Sequence, residues 1–276
     1  MSLAGCGLCK IERPLQRSHL LPRALYKAVM KSYFPHDPAP VWASQSDGTV
    51  LYANKQIVKY FLCSQCEDRF SKNGERVIAN ECFRNSFRFI LQQKLMNSEL
   101  SGKFNTQPYY HPKDLENIDS EKYKYYALSI IWRVTATGWK NADIDYLEGG
   151  LSPEYSTQIE NYLLGGDPPN DIYITVYVDT NSGSEITPFM SLPSGGLVSE
   201  GHFSFFVPGV KFNVYVGEEA DKDVSKEFSK QNTQLMFFLH DFKRMREYSE
   251  MKHAVTYELR PVGKLAKRQV TKHSKI

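Results

Sequence analysis

This chain of 276 residues has no long apolar runs and few cysteines. No window approaches the eighteen uncharged apolar residues that indicate a membrane-spanning helix, and no apolar signal segment precedes the first cysteine pair. Of the five cysteines, four form two close pairs and Cys82 stands alone, which suits metal thiolates in a reducing compartment better than a disulfide framework. These absences predict a soluble, cytoplasmic protein with no membrane partner.

Common catalytic motifs are missing from the second half of the chain. It contains no phosphate-binding glycine loop, no serine nucleophile elbow and no His-Glu-x-x-His sequence. His202 and His240 stand singly beside predicted strands, a position typical of structural histidines. A partner protein is one candidate ligand for this half, and the chemistry is expected nearer the N-terminus.

Charge is unevenly distributed, although the net value is only +3. Residues 1–75 carry ten basic and six acidic side chains, while the remainder is close to neutral. After Glu258 the chain has six basic and no acidic residues. The basic tail, residues 263–276, holds five of these six and is interpreted either as an aid to nonspecific phosphate binding or as a solubilising end.

Two Cys-x-x-Cys pairs dominate the first quarter of the chain. They are Cys6 with Cys9, and Cys63 with Cys66. Four thiolates, two from each tight turn, suit tetrahedral Zn²⁺ with no open position, so the pattern predicts a structural zinc site. The 53 intervening residues exceed the spacing of small zinc ribbons and must fold as well. Cys82 is expected to be a buried small hydrophobe.

A histidine between the two pairs suggests a family. His19 follows Cys9 by ten residues and precedes Leu-Leu-Pro, and an apolar Tyr-Phe-Leu run precedes Cys63. In this order of motifs the first quarter resembles the HNH endonuclease family. The resemblance implies a ββα-metal motif held by zinc knuckles, in which His19 activates water for cleavage of DNA and a divalent cation, Mg²⁺ or Mn²⁺, binds beside it.

The chain departs from that family at three places. Ser18 stands where an acidic residue usually precedes the histidine, residues 57–59 lack the usual Asn, and Glu67 follows the second pair in place of His or Asn. Glu67 is predicted either to bind the catalytic cation as a hard carboxylate ligand or to stabilise a helix dipole. Ser18 is predicted to be a weak ligand or a supporting hydrogen bonder. The alternative function is a catalytically inactive, zinc-stabilised module that binds nucleic acid or protein.

Basic residues recur every four positions after His19. Pro22 suits the start of a helix on which Arg23, Lys27 and Lys31 share one face. With Arg17 they are candidate nucleic-acid contacts, and the alternative interpretation of this face is simple solvation.

The predicted fold class is α+β. Residues 1–99 are assigned to the HNH-like domain, in which a helix closing the metal motif ends at Gly74 and a long amphipathic helix follows from Glu75 to about Met96. Residues 100–120 are assigned to a linker and residues 121–262 to a second domain.

That second domain is predicted to begin with helices and to end with a sheet. A helix is expected from Tyr123 to Thr137, with a strand as the alternative because of its β-branched residues, and a second helix is expected from Ser152-Pro153 to Gly165-Gly166. Four β-rich runs follow, two of them joined by a Pro208-Gly209 turn. They predict an antiparallel sheet with helices against one face.

Overall fold

The fold contains both helices and sheets, which confirms the predicted α+β class. The computed structural model describes residues 3–32, 41–44, 47–52, 56–85, 87–104, 106–136, 138–139, 145–181, 189–195, 201–217, 222–262 and 266. The strands are β1 Leu3–Gly5, β2 Glu12–His19, β3 Val41–Ser44, β4 Thr49–Tyr52, β5 Val58–Cys63, β6 Gly102–Phe104, β7 Gln107–Tyr109, β8 Ile172–Asp179, β9 Ser194–Gly195, β10 His202–Val207, β11 Val210–Val216, β12 Leu235–His240 and β13 Arg260–Pro261. The α-helices are α1 Arg23–Ser32, α2 Ser64–Phe70, α3 Arg76–Glu81, α4 Ile90–Met96, α5 Ser120–Thr135, α6 Pro153–Leu163, α7 Lys222–Gln231 and α8 Arg246–His253.

The N-terminal region is built on a small antiparallel sheet. Strand β2 pairs with β1 on one side and with β5 on the other. Helix α2 begins directly after β5, so the second cysteine pair lies at the junction of a strand and a helix. Between β2 and β5 the chain forms α1 and a separate β3–β4 hairpin, to which β13 adds in parallel.

The predicted stop at Gly74 is wrong. The helix that starts at Ser64 continues through a π-helical turn, Ser71–Glu75, into α3. Gly74 is buried, and a Cβ atom added to it would lie 2.8 Å from the Tyr126 Cβ and 3.0 Å from its Cα. The glycine therefore allows close contact with α5 and does not end the helix.

The predicted long helix from Glu75 to Met96 is also wrong. The structure has two short helices, α3 and α4, separated by a connection that lies against the β10–β11 turn. The Phe83 amide donates to the Pro208 carbonyl at 2.9 Å, and the Phe83 and Phe89 rings meet edge to face at 6.0 Å. Apolar spacing resembled one helix because the connection also buries aromatic residues.

Helix α5 is the central element of the fold. The sequence predicted it, and the structure places it at Ser120–Thr135, with the Asp119 side chain accepting from the Lys122 amide at the N-terminus. All residues from Tyr123 to Thr135 are buried, as expected for a helix surrounded by other elements. Helix α6 also begins as predicted, since the Ser152 hydroxyl accepts from the Tyr155 amide at 3.3 Å.

The main sheet has five strands in the order β12-β8-β11-β10-β9. Strands β10 and β11 form the predicted hairpin, with Gly209 at φ 74° in its two-residue turn. Strand β12, however, runs parallel to β8, so the prediction of a wholly antiparallel sheet is wrong. The connection that contains α7 leads from the end of β11 past β8, so β12 joins the sheet on the other side of β8 and runs antiparallel to β11.

Helices cover both faces of the sheet, which corrects the prediction of one covered face. Phe228 of α7 packs with Met236 and Phe238 on one side, whereas Phe212 and Phe237 belong to the core shared with α5 on the other.

One hydrophobic core joins the N-terminal region to the sheet. It contains Leu20 and Phe70 as well as Trp132 and Phe212. Residues 100–120 include the β6–β7 hairpin, and Tyr110 exchanges two backbone hydrogen bonds with Phe237. Within the described residues no helix is both long and apolar enough to cross a membrane. Apart from Ala266, the basic tail lies outside the described residues.

Candidate metal centre and adjacent histidine

The first cysteine pair is held by a tight turn after β1. The Cys6 amide donates to the Ile11 carbonyl at 3.0 Å, and the Lys10 amide donates to the Cys6 carbonyl at 2.9 Å. Gly7 lies so close to the Phe61 ring that an added Cβ would overlap it. The turn therefore rests directly on β5, the strand that carries the second pair.

The four predicted zinc ligands come together. The sulfur atoms of Cys6, Cys9, Cys63 and Cys66 all lie within 4.8 Å of one another, and the Cys9 and Cys63 sulfurs are 3.9 Å apart. A tetrahedral ion with Zn–S bonds of about 2.3 Å would separate its sulfurs by about 3.8 Å. All five cysteines are free thiols. The cluster can therefore hold a metal ion such as zinc.

The environment of the thiols also suits a cation. Burial raises the pKa of Cys9 and of Cys66. Burial also acts to raise the pKa of Cys63, but hydrogen bonds from the Cys66 amide and the neighbouring thiols outweigh it and lower that pKa to about 7. The Cys63 amide donates to the Cys6 sulfur at 3.3 Å. Several buried thiolates repel one another, and a divalent ion would remove that cost.

Contacts with the second half of the chain hold the first pair in place. The Lys10 ammonium binds the Glu160 carboxylate at 2.9 Å, and the Trp132 indole N–H donates to the same oxygen at 3.1 Å. The Trp132 ring also stacks on Phe61 with centroids 5.4 Å apart. Helices α5 and α6 thus support the metal centre from outside it.

His19 is the last residue of β2 and is half-buried. Burial lowers the pKa of its imidazole, and the positive charges of Arg23 and Arg17 act in the same direction. A hydrogen bond with Gln56 and the negative charge of Glu67 oppose this shift. The imidazole therefore lies within electrostatic range of one carboxylate and two guanidinium groups.

One carboxylate oxygen of Glu67, whose charge acts on this imidazole, has no hydrogen-bond partner among the described residues. Glu67 lies in the first turn of α2, next to Cys66, and its Oε1 atom is buried without a hydrogen-bond partner in the part of the chain that the structure describes. A buried carboxylate oxygen without a donor costs about 1–3 kcal/mol or more. The position agrees with both predicted roles, the helix-dipole charge and the metal ligand, and the orphaned oxygen is what a bound cation would satisfy.

Ser18 has a supporting position. It is fully buried, and its hydroxyl accepts from the Leu62 amide at 3.0 Å. Neighbouring residues of a strand point to opposite faces, so Ser18 and His19 diverge. Of its two predicted roles, this contact corresponds to the hydrogen bonder.

The predicted basic residues lie near His19 to different extents. Arg17, Arg23 and Lys27 are exposed, and the first two influence the pKa of His19. The side chain of Lys31 lies outside the described residues. Among the residues that the structure describes, the cysteine cluster is the one group of three or more His, Cys, Asp or Glu side chains arranged to hold a metal. A cation at Glu67 would therefore need further oxygen ligands from water or substrate.

Two residues around His19 were not predicted from sequence. Gln56 bonds to the imidazole, and Arg133 of α5 binds the His19 backbone. Gln56 lies two residues before β5, where its polarity alone gave no signal. Arg133 lies within a continuous run of buried residues of α5, which gave no signal of this contact.

Comparisons with known proteins give no relative for this chain. No protein-family model matches it, and neither does any curated protein or solved structure. The HNH resemblance therefore rests on the motif residues themselves.

Proposed function

We propose that this chain is an HNH-like, metal-dependent endonuclease that cleaves DNA phosphodiester bonds and carries a structural zinc. The observation that supports this most directly is the buried Oε1 atom of Glu67, which has no hydrogen-bond partner among the described residues, in a carboxylate whose charge acts on the half-buried imidazole of His19. The strand pair β2–β5 followed by α2, with the cysteine cluster next to it, has the element order expected of a ββα-metal motif.

His19 acts as the general base in this proposal. Its neutral imidazole takes a proton from water as the water oxygen attacks the phosphorus. Burial lowers its pKa and so favours the neutral form that this step needs. The hydrogen bond with Gln56 holds the imidazole ring, and the proposed step uses a ring nitrogen to accept the proton.

Glu67 is the proposed ligand of a catalytic cation, and its carboxylate is a suitable hard donor for Mg²⁺ or Mn²⁺. Such a cation stabilises the charge that develops on the phosphate and on the leaving 3′-oxygen. Zinc bound by four cysteines has no open coordination position, so its role is structural.

Arg17 and Arg23 are the proposed phosphate contacts. Both are exposed, and both lie close enough to His19 to influence its pKa. Guanidinium groups bind phosphate oxygens in pairs and would hold the DNA backbone against the imidazole. Exposed Lys27, one turn beyond Arg23, would extend this contact along the backbone.

A second candidate is a zinc-stabilised module that binds nucleic acid or protein without cleaving it. Ser18 favours this candidate, because a buried hydroxyl occupied by the Leu62 amide replaces the usual acidic residue. Among the groups that affect the pKa of His19, Glu67 is the one carboxylate.

Plasmid nicking with Mg²⁺ or Mn²⁺ distinguishes the two. We expect the wild type to nick, and His19→Ala to lose about 10²–10⁴-fold in rate while keeping its zinc. His253→Ala is the matched control, since His253 is an exposed histidine of α8. Nicking by His19→Ala at the wild-type rate would contradict the assignment. Salt-dependent DNA binding without cleavage under any divalent metal would favour the second candidate.

A further inference from the structure

An arginine buried in helix α5 binds the backbone at His19. The Nη1 atom of Arg133 donates to the carbonyl oxygens of His19 and Leu20 at 3.2 and 3.3 Å. Its Nη2 atom donates to Glu75 Oε1 at 2.6 Å. Arg133 is 1% exposed, so these contacts form away from water.

The contact set of Arg133 is specific to a guanidinium group. Burying a charge is costly unless it is paired and hydrogen-bonded, and a Met or Leu would fill a core position without that cost. The planar fork donates from two separate nitrogens, Nη1 to the two carbonyls and Nη2 to the carboxylate, whereas a lysine donates from a single nitrogen. The same group lies over the Phe70 ring, 4.5 Å from its centroid. Arg133 therefore contacts the end of β2 and the end of α2 at once.

The helix that carries Glu67 also carries Glu75, the partner of Arg133. After α2 it passes through the π-helical turn Ser71–Glu75, and π-turns inside helices are frequent at functional sites. Gly74 allows this turn to contact Tyr126 of α5. Glu75 then meets Arg133 one residue later. One continuous helix thus carries both Glu67 and Glu75. Glu75 pairs with Arg133, which in turn binds the His19 backbone.

We propose that Arg133 is a positioning residue, which fixes His19 relative to Glu67 and so makes helix α5 part of the functional site. This inference rests on the proposed function. Displacement of a reacting group by about 1 Å can cost about 10²-fold in rate, which is the scale of effect expected when the fork is lost.

Arg133→Lys tests the inference because it keeps the charge and removes the fork. We expect its nicking rate at saturating DNA to fall about 10- to 100-fold, with KM unchanged within about twofold. Glu75→Gln should show the same pattern with a smaller loss, and it replaces Arg133→Lys if that variant fails to fold. The matched control is Tyr123→Phe, which removes a 2.6 Å hydrogen bond to Glu81 from the same buried helix. Its rate per zinc-loaded protein should equal that of the wild type.

A second measurement separates this inference from the nuclease assignment. Without DNA, Mn²⁺ should broaden the NMR signal of the His19 imidazole in the wild type and in Tyr123→Phe, and should broaden it less in Arg133→Lys at equal Mn²⁺. If the wild type never nicks but this difference is present, the proposed function fails and the positioning role stands. If the variants at Arg133 and Glu75 match Tyr123→Phe in both rate and broadening, the positioning role is overturned.

Discussion

Two carboxylates, one in each half of the chain, differ in how their buried oxygens are used. Asp179, at the end of β8, is fully buried, and its Oδ1 accepts from the Asn181 and Phe242 amides at 3.0 and 3.2 Å. Glu67, next to the cysteine cluster, has a buried Oε1 that meets no hydrogen-bond partner among the described residues. Satisfied polar groups of the first kind fix a fold, whereas an unsatisfied one next to an imidazole is available to a ligand.

The two regions also differ in the interactions that stabilise them. The sheet is held by aromatic packing and by a ladder in which β8 pairs on both sides. The N-terminal region brings together two cysteine pairs from distant parts of the chain. Its strand pair β2–β5 has a register shift between Leu15 and Arg17. We therefore expect the two regions to respond differently to metal removal and to core mutation.

Metal removal should have the largest effect. A structural zinc ion contributes about 10–16 kcal/mol in small zinc peptides, so chelation or Cys63→Ser should abolish amide exchange protection in β2, β5 and α2. Strands β8 and β11 should keep theirs. Cys82→Ala is the control, because Cys82 is buried outside the cluster and should retain one zinc per chain. Unchanged exchange after chelation would remove the contrast between the regions.

A core truncation in the sheet should have the opposite pattern. Phe212 stacks on Phe205 at 5.0 Å and contacts Tyr126 at 5.5 Å. Phe212→Ala should lower the free energy of unfolding by about 3–5 kcal/mol without changing zinc content. Exposed Tyr257 provides the comparison, since Tyr257→Ala should change stability by less than about 0.5 kcal/mol. Loss of zinc from folded Phe212→Ala would show that the two regions are not separable.

Gly74→Ala probes the contact between the regions. The added methyl group would meet Tyr126 at 2.8 Å, so we expect a loss of about 1–3 kcal/mol in denaturant unfolding despite the better helix propensity of alanine. Asn80→Ala, at an exposed position of α3, should be neutral or slightly stabilising. Equal stability of the two variants would contradict the close approach of the π-helical turn and α5 at this glycine.

The pH dependence of nicking should show the smallest effect. Burial lowers the pKa of His19, so the neutral base persists below the ordinary histidine pKa of about 6.5. As pH falls through the lowered pKa, protonation should remove activity, and the half-maximal rate should lie below pH 6.5. DNA binding measured over the same range controls for substrate affinity. A half-maximal rate above pH 7 would exclude His19 as this base.

Local sequence signals predicted the parts of the fold that depend on local chemistry. The Ser152-Pro153 helix start and the Pro208-Gly209 hairpin were predicted because each depends on the backbone preferences of adjacent residues. The cysteine cluster was predicted because the spacing within each pair fits a metal knuckle.

The remaining features depend on contacts between distant residues. The break between α3 and α4 follows from docking of Phe83 on Pro208. The parallel pairing of β12 with β8 depends on the path of the chain through α7. Arg133 reaches His19 across 114 positions of sequence, and nothing in its local pattern distinguishes it from a packed core residue. Apolar periodicity reports burial, but it does not report which element provides it.

Anomalous scattering from a crystal grown with Mn²⁺ tests the central claim most directly. We predict a zinc peak among the sulfurs of Cys6, Cys9, Cys63 and Cys66, and a separate manganese peak at the Glu67 carboxylate beside the His19 imidazole. Sulfur atoms paired as disulfides with no zinc peak, or manganese bound elsewhere while Glu67 stays unliganded, would contradict it.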